Sequence, residues 1–134
     1  MGFEVRLEGP LLRMRFFDAL THADLAGLAE EMLACEARLP VTPSRLSSLT
    51  EVTHVEVGFS EMLAFVERRR AVGPRQPIRS ALVVTEAVQF GIARMFQTLN
   101  DHPLVTVCIF HDEAAALAWL GEAAAVVRNA GAGP

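Results

Sequence analysis

Apolar and polar residues alternate with period two over Phe3 to Glu8, and again over Leu11 to Phe17, on either side of Gly9-Pro10. That period places successive side chains on opposite faces, so it predicts two strands joined by a tight turn. Leu12, Met14 and Phe16 share one face of the second strand, and Arg13 and Arg15 share the other. The hairpin is expected at the edge of a sheet, buried on one side only.

The period then lengthens to that of a helix. Leu25, Leu28, Met32 and Cys35 recur at helical spacing, with Glu30, Glu31 and Glu36 expected to point away from the core. Thr21 stands as N-cap with Asp24 three residues on, and Leu20 and Leu25 can pack across the cap as a hydrophobic staple. Pro40 and Pro43 end this helix. Arg45 to Val52 predicts a short strand. Val55, Phe59, Met62 and Val66 form the stripe of a second helix that ends near Val72-Gly73-Pro74. It starts either at Thr53, with Glu56 completing a capping box, or near Ser60, because Gly58 interrupts the pattern.

Ile78 to Thr85 is continuously apolar at its centre, the pattern of a parallel strand covered on both faces. Thr85 is positioned to cap a third helix with the stripe Val88, Ile92, Met95, Phe96 and Leu99, which Asn100-Asp101-His102-Pro103 stops. Leu104 to Phe110 is a second continuous apolar strand. Asp112 then caps a fourth helix carrying Leu117, Leu120 and Ala124 on one face. The order β-β-α-β-α-β-α-β-α predicts a single α/β domain, with a mostly parallel sheet and an antiparallel N-terminal edge strand. The domain is expected to span residues 1–128, with 129–134 as a flexible tail. The runs Ala81–Val84 and Val105–Ile109 are expected side by side in the middle of the sheet, with the helices crowded on one face.

Composition narrows the chemistry. The chain has 134 residues, 51% of them apolar, enough for one sizeable core, and no apolar run approaches the roughly 20 residues of a bilayer span. All 12 basic residues are Arg, so lysine Schiff-base chemistry and a lysine-bearing P-loop are excluded, and no Tyr is present. A net charge of −4 with no recognition helix disfavours nucleic acid. Cys35 and Cys108 fall in apolar patterns and are expected as buried thiols. With no signal-peptide pattern at the start, a cytoplasmic address is expected.

Candidate catalytic groups are sparse. His54-Val55-Glu56 has the His-x-Glu of zinc deaminases but lacks the paired Cys-x-x-Cys. Gly58-Phe59-Ser60-Glu61-Met62 has Met where a nucleophile elbow needs its second Gly. Neither a metal, a cofactor nor an enzymatic activity is expected. Arg68, Arg69, Arg70, Arg75 and Arg79 gather at the end of the second helix and its following loop, as helix-dipole partners or an anion patch. Phe65 and Phe90 lie off the main stripes, suiting broadly buried helices, an apolar pocket or a dimer surface.

Several segments resemble the STAS domain family in its SpoIIAA-like branch, a group sometimes joined with CRAL-TRIO lipid-binding domains. Arg45-Leu46 to Thr50-Glu51-Val52 is similar to that branch's third strand, and Phe90-Gly91-Ile92-Ala93-Arg94-Met95-Phe96 to its third-helix segment. Phe110-His111-Asp112, with Ala115 and Ala118-Trp119-Leu120, is similar to its closing strand and alanine-rich helix. The resemblance implies a STAS/SpoIIAA-like fold and action by binding. Anti-sigma-factor antagonists of this fold carry a phosphorylatable serine at the start of the second helix. Here Val57 falls near that position with Gly58 beside it, and Ser60 is the nearest hydroxyl. Two sites follow as expectations. Thr50, Thr53 and Ser60 with the second-helix face would meet a protein partner or a second copy. Phe59, Phe65 and Phe90 with Arg68 and Arg69 would hold a small apolar or anionic ligand.

Overall fold

The computed structural model describes the backbone of residues 2–132 and the side chains of residues 2–122. Its elements are β1 (Phe3–Glu8), β2 (Leu11–Leu20), α1 (His22–Ala37), β3 (Ser44–Val55), α2 (Phe59–Val72), β4 (Ile78–Val83), α3 (Ala87–Leu99), β5 (Val105–Phe110) and α4 (Glu113–Ala132). The strands form one five-stranded sheet in the order β1-β2-β3-β4-β5, with β1 antiparallel to β2 and every other pairing parallel. This is the predicted order and class. The backbone of α4 runs to Ala132, and of the expected 129–134 tail, residues 133–134 lie outside the described residues.

The helices do not all share a face. From β2 onward each parallel strand is added on the same side of its predecessor, so crossovers of uniform hand carry α1, α2 and α3 to one face. There Leu12, Met14, Phe16, Leu49, Val52 and Leu82 pack against Leu25, Leu28 and Met32 of α1, Met62, Phe65 and Val66 of α2, and Ile92 of α3. The last helix crosses to no further strand. It covers the opposite face, where Ala116 and Leu120 meet Leu46, Ala81 and Val83.

Two strands differ from expectation. Instead of a short strand, β3 is the longest at 12 residues, because β2 continues beside it to Leu20 opposite Val55. That extended pairing passes two irregularities of register near Arg15 and Asp18, the latter at φ 61°. As for the two apolar ribbons, β4 and β5 do lie side by side, but β5 stands at the edge and is only half-buried. Its apolar pattern arises because α3 contacts one face and α4 the other.

The start of α1 matches the sequence signals closely. Thr21 Oγ1 accepts from Asp24 N–H (3.2 Å), and the Asp24 carboxylate accepts from the Thr21 N–H (3.0 Å). The other Asp24 oxygen accepts from the Gly2 N–H (3.2 Å), tying the start of the chain to this helix. A Cβ at Gly2 would lie 2.7 Å from the Phe17 carbonyl, so this approach needs a residue without one. For α2 the later start holds: Gly58 is the N-cap and Glu61 accepts from its N–H. The N-cap of α3 is Glu86 rather than Thr85, because Gln89 takes over the capping.

Gln89 is 1% exposed and resolves a backbone problem. β4 pairs only with Arg45–Ser48 of β3, so the later carbonyls of β3 lack a strand partner on that side. The Gln89 amide donates to the carbonyls of Val52 (2.9 Å) and Thr50 (3.2 Å) in place of a strand. Its oxygen accepts from the N–H groups of Thr85 (2.9 Å) and Glu86 (3.0 Å). Gln89→Leu leaves buried backbone groups unpaired and is expected to cost about 3 kcal/mol or more in urea denaturation. Gln89→Glu is also destabilising at neutral pH, since a carboxylate faces two carbonyls. Its folded-state pKa is thereby raised, so its deficit relative to wild type shrinks as pH falls and the protonated acid donates again.

Candidate functional site

The interior between the sheet and α1–α3 holds a buried ionic cluster. Arg45 shares strand parity with Ser47 and Leu49, which turns it toward these helices rather than toward α4. It meets Glu36 from the last turn of α1 and Arg69 from the last turn of α2. Glu36, expected on the outer side of its helix, is 5% exposed. One of its oxygens accepts from Arg69 at 2.6 Å and the other from Arg45 at 3.3 Å. Both guanidinium side chains are at most 9% exposed. Burial foremost, and then the charge of Arg69, push the Arg45 pKa down to about 10 against the attraction of Glu36, so it stays charged at neutral pH. The C-terminal ends of α1 and α2 offer partial negative charge to this pair of cations.

A cavity of about 70 Å³ lies beside the cluster. Arg45, Arg69, Ser47, Ser80 and Asn100 line one part of its wall. These residues come from the starts of β3 and β4 and the ends of α2 and α3, so they gather at the amino edge of the parallel strands. Leu28, Met32, Leu49, Phe65 and Ile92 contribute apolar wall. Three buried donors, Nε of Arg45, Nε of Arg69 and Nδ2 of Asn100, have no acceptor among the described residues.

The expected site residues are divided by the fold. Phe65 is buried against Phe96 with ring centroids 6.4 Å apart, and with Arg69 it lines the cavity. Phe59 is 59% exposed, not part of the core stripe, because the helix starts at Gly58 and places it in the first turn, with Met62, Phe65 and Val66 facing inward. Val88 and Phe90 of α3 are likewise exposed, at 45% and 43%, and Phe90 stacks on His111 with centroids 6.3 Å apart. Thr53 and Ser60 are exposed near the same carboxyl edge of the strands. The Thr50 hydroxyl lies 3.2 Å from that of Ser48, on the sheet face opposite the cavity.

The arginines form no single patch. Arg68 is exposed, 3.9 Å from Glu30. Arg75 donates to the Glu36 and Leu39 carbonyls and supplies the cation that the last turn of α1 lacks. Arg79 donates to the Trp119 carbonyl at 2.8 Å and lies 4.9 Å from its ring centroid, holding α4 against β4. On the open half of the second face, Arg15 pairs with Glu51 and Glu4, and Arg13 with Glu8 and Glu113. The hydrogen bond from Arg15 holds the Glu51 carboxyl below the usual range. Sequence reasoning missed Glu36, Arg45, Ser80 and Asn100. The one available signal was the alternation of Arg45 with Ser47 and Leu49, which sets a cation on a core-facing row.

Among the described residues, no group of three or more His, Cys, Asp or Glu is placed to hold a metal ion, and no helix is long and apolar enough to cross a membrane. Cys35 and Cys108 are free and half-buried.

No family model and no curated protein matches the chain in sequence. Solved structures do match in fold. An uncharacterized protein of the DUF3478 family with a SpoIIAA-like fold, from Shewanella loihica PV-4, superposes at a TM-score of 0.60 and 16% identity, over 88% of this chain and 91% of that one. The anti-sigma factor antagonist SpoIIAA in its unphosphorylated form gives 0.54 and 16%, over 86% and 92%. The Bacillus cell fate determinant SpoIIAA in the phosphorylated form gives 0.52 and 15%, over 87% and 97%. The chain therefore has the SpoIIAA-like STAS fold.

Glu36→Gln leaves two buried guanidinium groups facing each other without a counter-charge. It is expected to cost about 3–5 kcal/mol in chemical denaturation. Arg45→Met keeps the neutral Glu36–Arg69 pair and removes an under-partnered cation, so its stability is expected to equal or exceed that of wild type. Arg15→Ala is expected to return the Glu51 carboxyl upward toward its ordinary value, read from a carboxyl-carbon NMR titration.

Proposed function

We propose that this chain, built on the SpoIIAA-like STAS fold, is a non-catalytic module that acts by contact with a protein partner at the carboxyl edge of its parallel strands. The exposure of Phe59, Val88 and Phe90 at that edge carries the reading. Aromatic residues standing in solvent beside hydroxyls and a histidine match the centre and rim of protein contact surfaces. Thr53 and Ser60 would belong to the rim, with Thr50 behind them on β3. One structural neighbour is an anti-sigma factor antagonist, which agrees with a fold of this type working through protein contact.

Another neighbour was solved in a phosphorylated form. In this chain Ser60 is exposed in the first turn of α2, where the dipole favours an anion, but Glu61 already places a carboxylate on the Gly58 N–H. Ser60 therefore serves the contact by its hydroxyl. A second reading, a carrier or sensor of a small apolar or lipid-like anionic ligand, is favoured by the interior cavity and the unpartnered donors beside it.

Phe59→Asp combined with Phe90→Asp is expected to weaken capture of the partner from source-organism lysate by about 30-fold or more, with wild-type melting, since aromatic anchors dominate such contacts. Ser60→Asp is expected to weaken it less. Capture undiminished by the double aspartate variant overturns the proposed surface. A concentration-dependent dimer in sedimentation that the same variant dissolves identifies the partner as a second copy of the chain.

A further inference from the structure

The interior cavity combines an apolar wall with an excess of one buried positive charge. Glu36 supplies one negative charge and both of its oxygens are already engaged, whereas Arg45 and Arg69 supply two positive charges. Buried donors almost always find acceptors, and buried ions almost always find counter-ions. Here three donors, two of them on guanidinium groups at least nine-tenths buried, belong to residues that line the same cavity, and nothing receives them among the described residues. The missing partner is thus an acceptor bearing a single negative charge. Inorganic dianions over-compensate, and an anion without an apolar body leaves Leu28, Met32, Phe65 and Ile92 facing empty space.

Size limits the occupant further. A water-sized group needs roughly 10–15 Å³, so a cavity of about 70 Å³ suits a ligand of about five to seven heavy atoms. Butyrate and pentanoate, with a carboxylate and a short aliphatic tail, satisfy charge, polarity and volume together. We propose that the cavity binds a short-chain monocarboxylate. Its carboxylate lies against the guanidinium groups of Arg45 and Arg69 and beside Asn100, and its tail packs on the apolar wall. This deepens the carrier reading, on which it rests, and is independent of the contact surface at the carboxyl edge.

The test uses the full chain with pentanoate, pentanamide, decanoate and inorganic phosphate as probes, by calorimetry and by the NMR signals of the arginine Nε–H groups. Pentanoate is expected to bind one-to-one, to shift two Nε–H resonances, and to bind at least about tenfold more tightly than pentanamide. Arg45→Met is expected to raise the pentanoate Kd at least about tenfold while retaining its melting temperature. Asn100→Asp, at the half-buried C-cap of α3, is expected to do the same by setting a carboxylate against the ligand. Absence of pentanoate binding at millimolar concentration overturns the proposal. So does phosphate or decanoate binding as tightly as pentanoate, or pentanoate binding that neither variant weakens. Native mass spectrometry of the undelipidated protein separates the two levels. A retained adduct of another class, without pentanoate binding, removes this ligand and keeps the carrier reading; a clean apo mass without binding removes both.

Discussion

Three crossovers of one hand, each advancing the sheet by a single strand, dictate what the rest of the molecule can be. They bring α1, α2 and α3 to one face and point their C-terminal ends toward the starts of β3 and β4. Cationic side chains placed there meet the negative ends of helices, and Glu36, Arg45 and Arg69 arrive from three elements far apart in sequence. The opposite face receives only α4, which covers β4 and its neighbours and leaves the face of β1 and β2 to ion pairs. The cavity, the carboxyl edge and the open charged face are all results of this one asymmetry.

Sequence pattern revealed the parts governed by local spacing. The Thr21–Asp24 reciprocal cap, the hairpin alternation and the apolar centre of β4 each announce themselves within a few residues, and each stands as read. What escaped was set by neighbours distant in the chain. Glu36 has the position of an outward-facing acid until Arg45 and Arg69 are brought beside it. The tail of β3 looks too polar for a strand because its strength comes from β2 on one side and Gln89 on the other. Phe59 and Val88 fit helical stripes, but both sit in first turns that project beyond the core.

The candidate site shows the same division. Phe65 and Arg69 were legible as unusual positions on α2, and both line the interior. Adjacent arginines part company because a helix turns about 100° per residue: Arg68 meets solvent and Arg69 the core. The run of arginines that suggests one anion patch instead serves separate structural duties, with Arg75 closing α1 and Arg79 fastening α4.

Arg13 and Arg15 alternate along β2 with Met14 and Phe16, and β2 carries pairings on both of its sides. A slip of β2 by one residue against either neighbour would drive both guanidinium groups into the oily interior and turn Met14 and Phe16 out to water. The charged flank of the sheet therefore acts as a key to the register of the hairpin. A misaligned hairpin would bury charge and expose oil at once, which leaves one alignment that satisfies both surfaces.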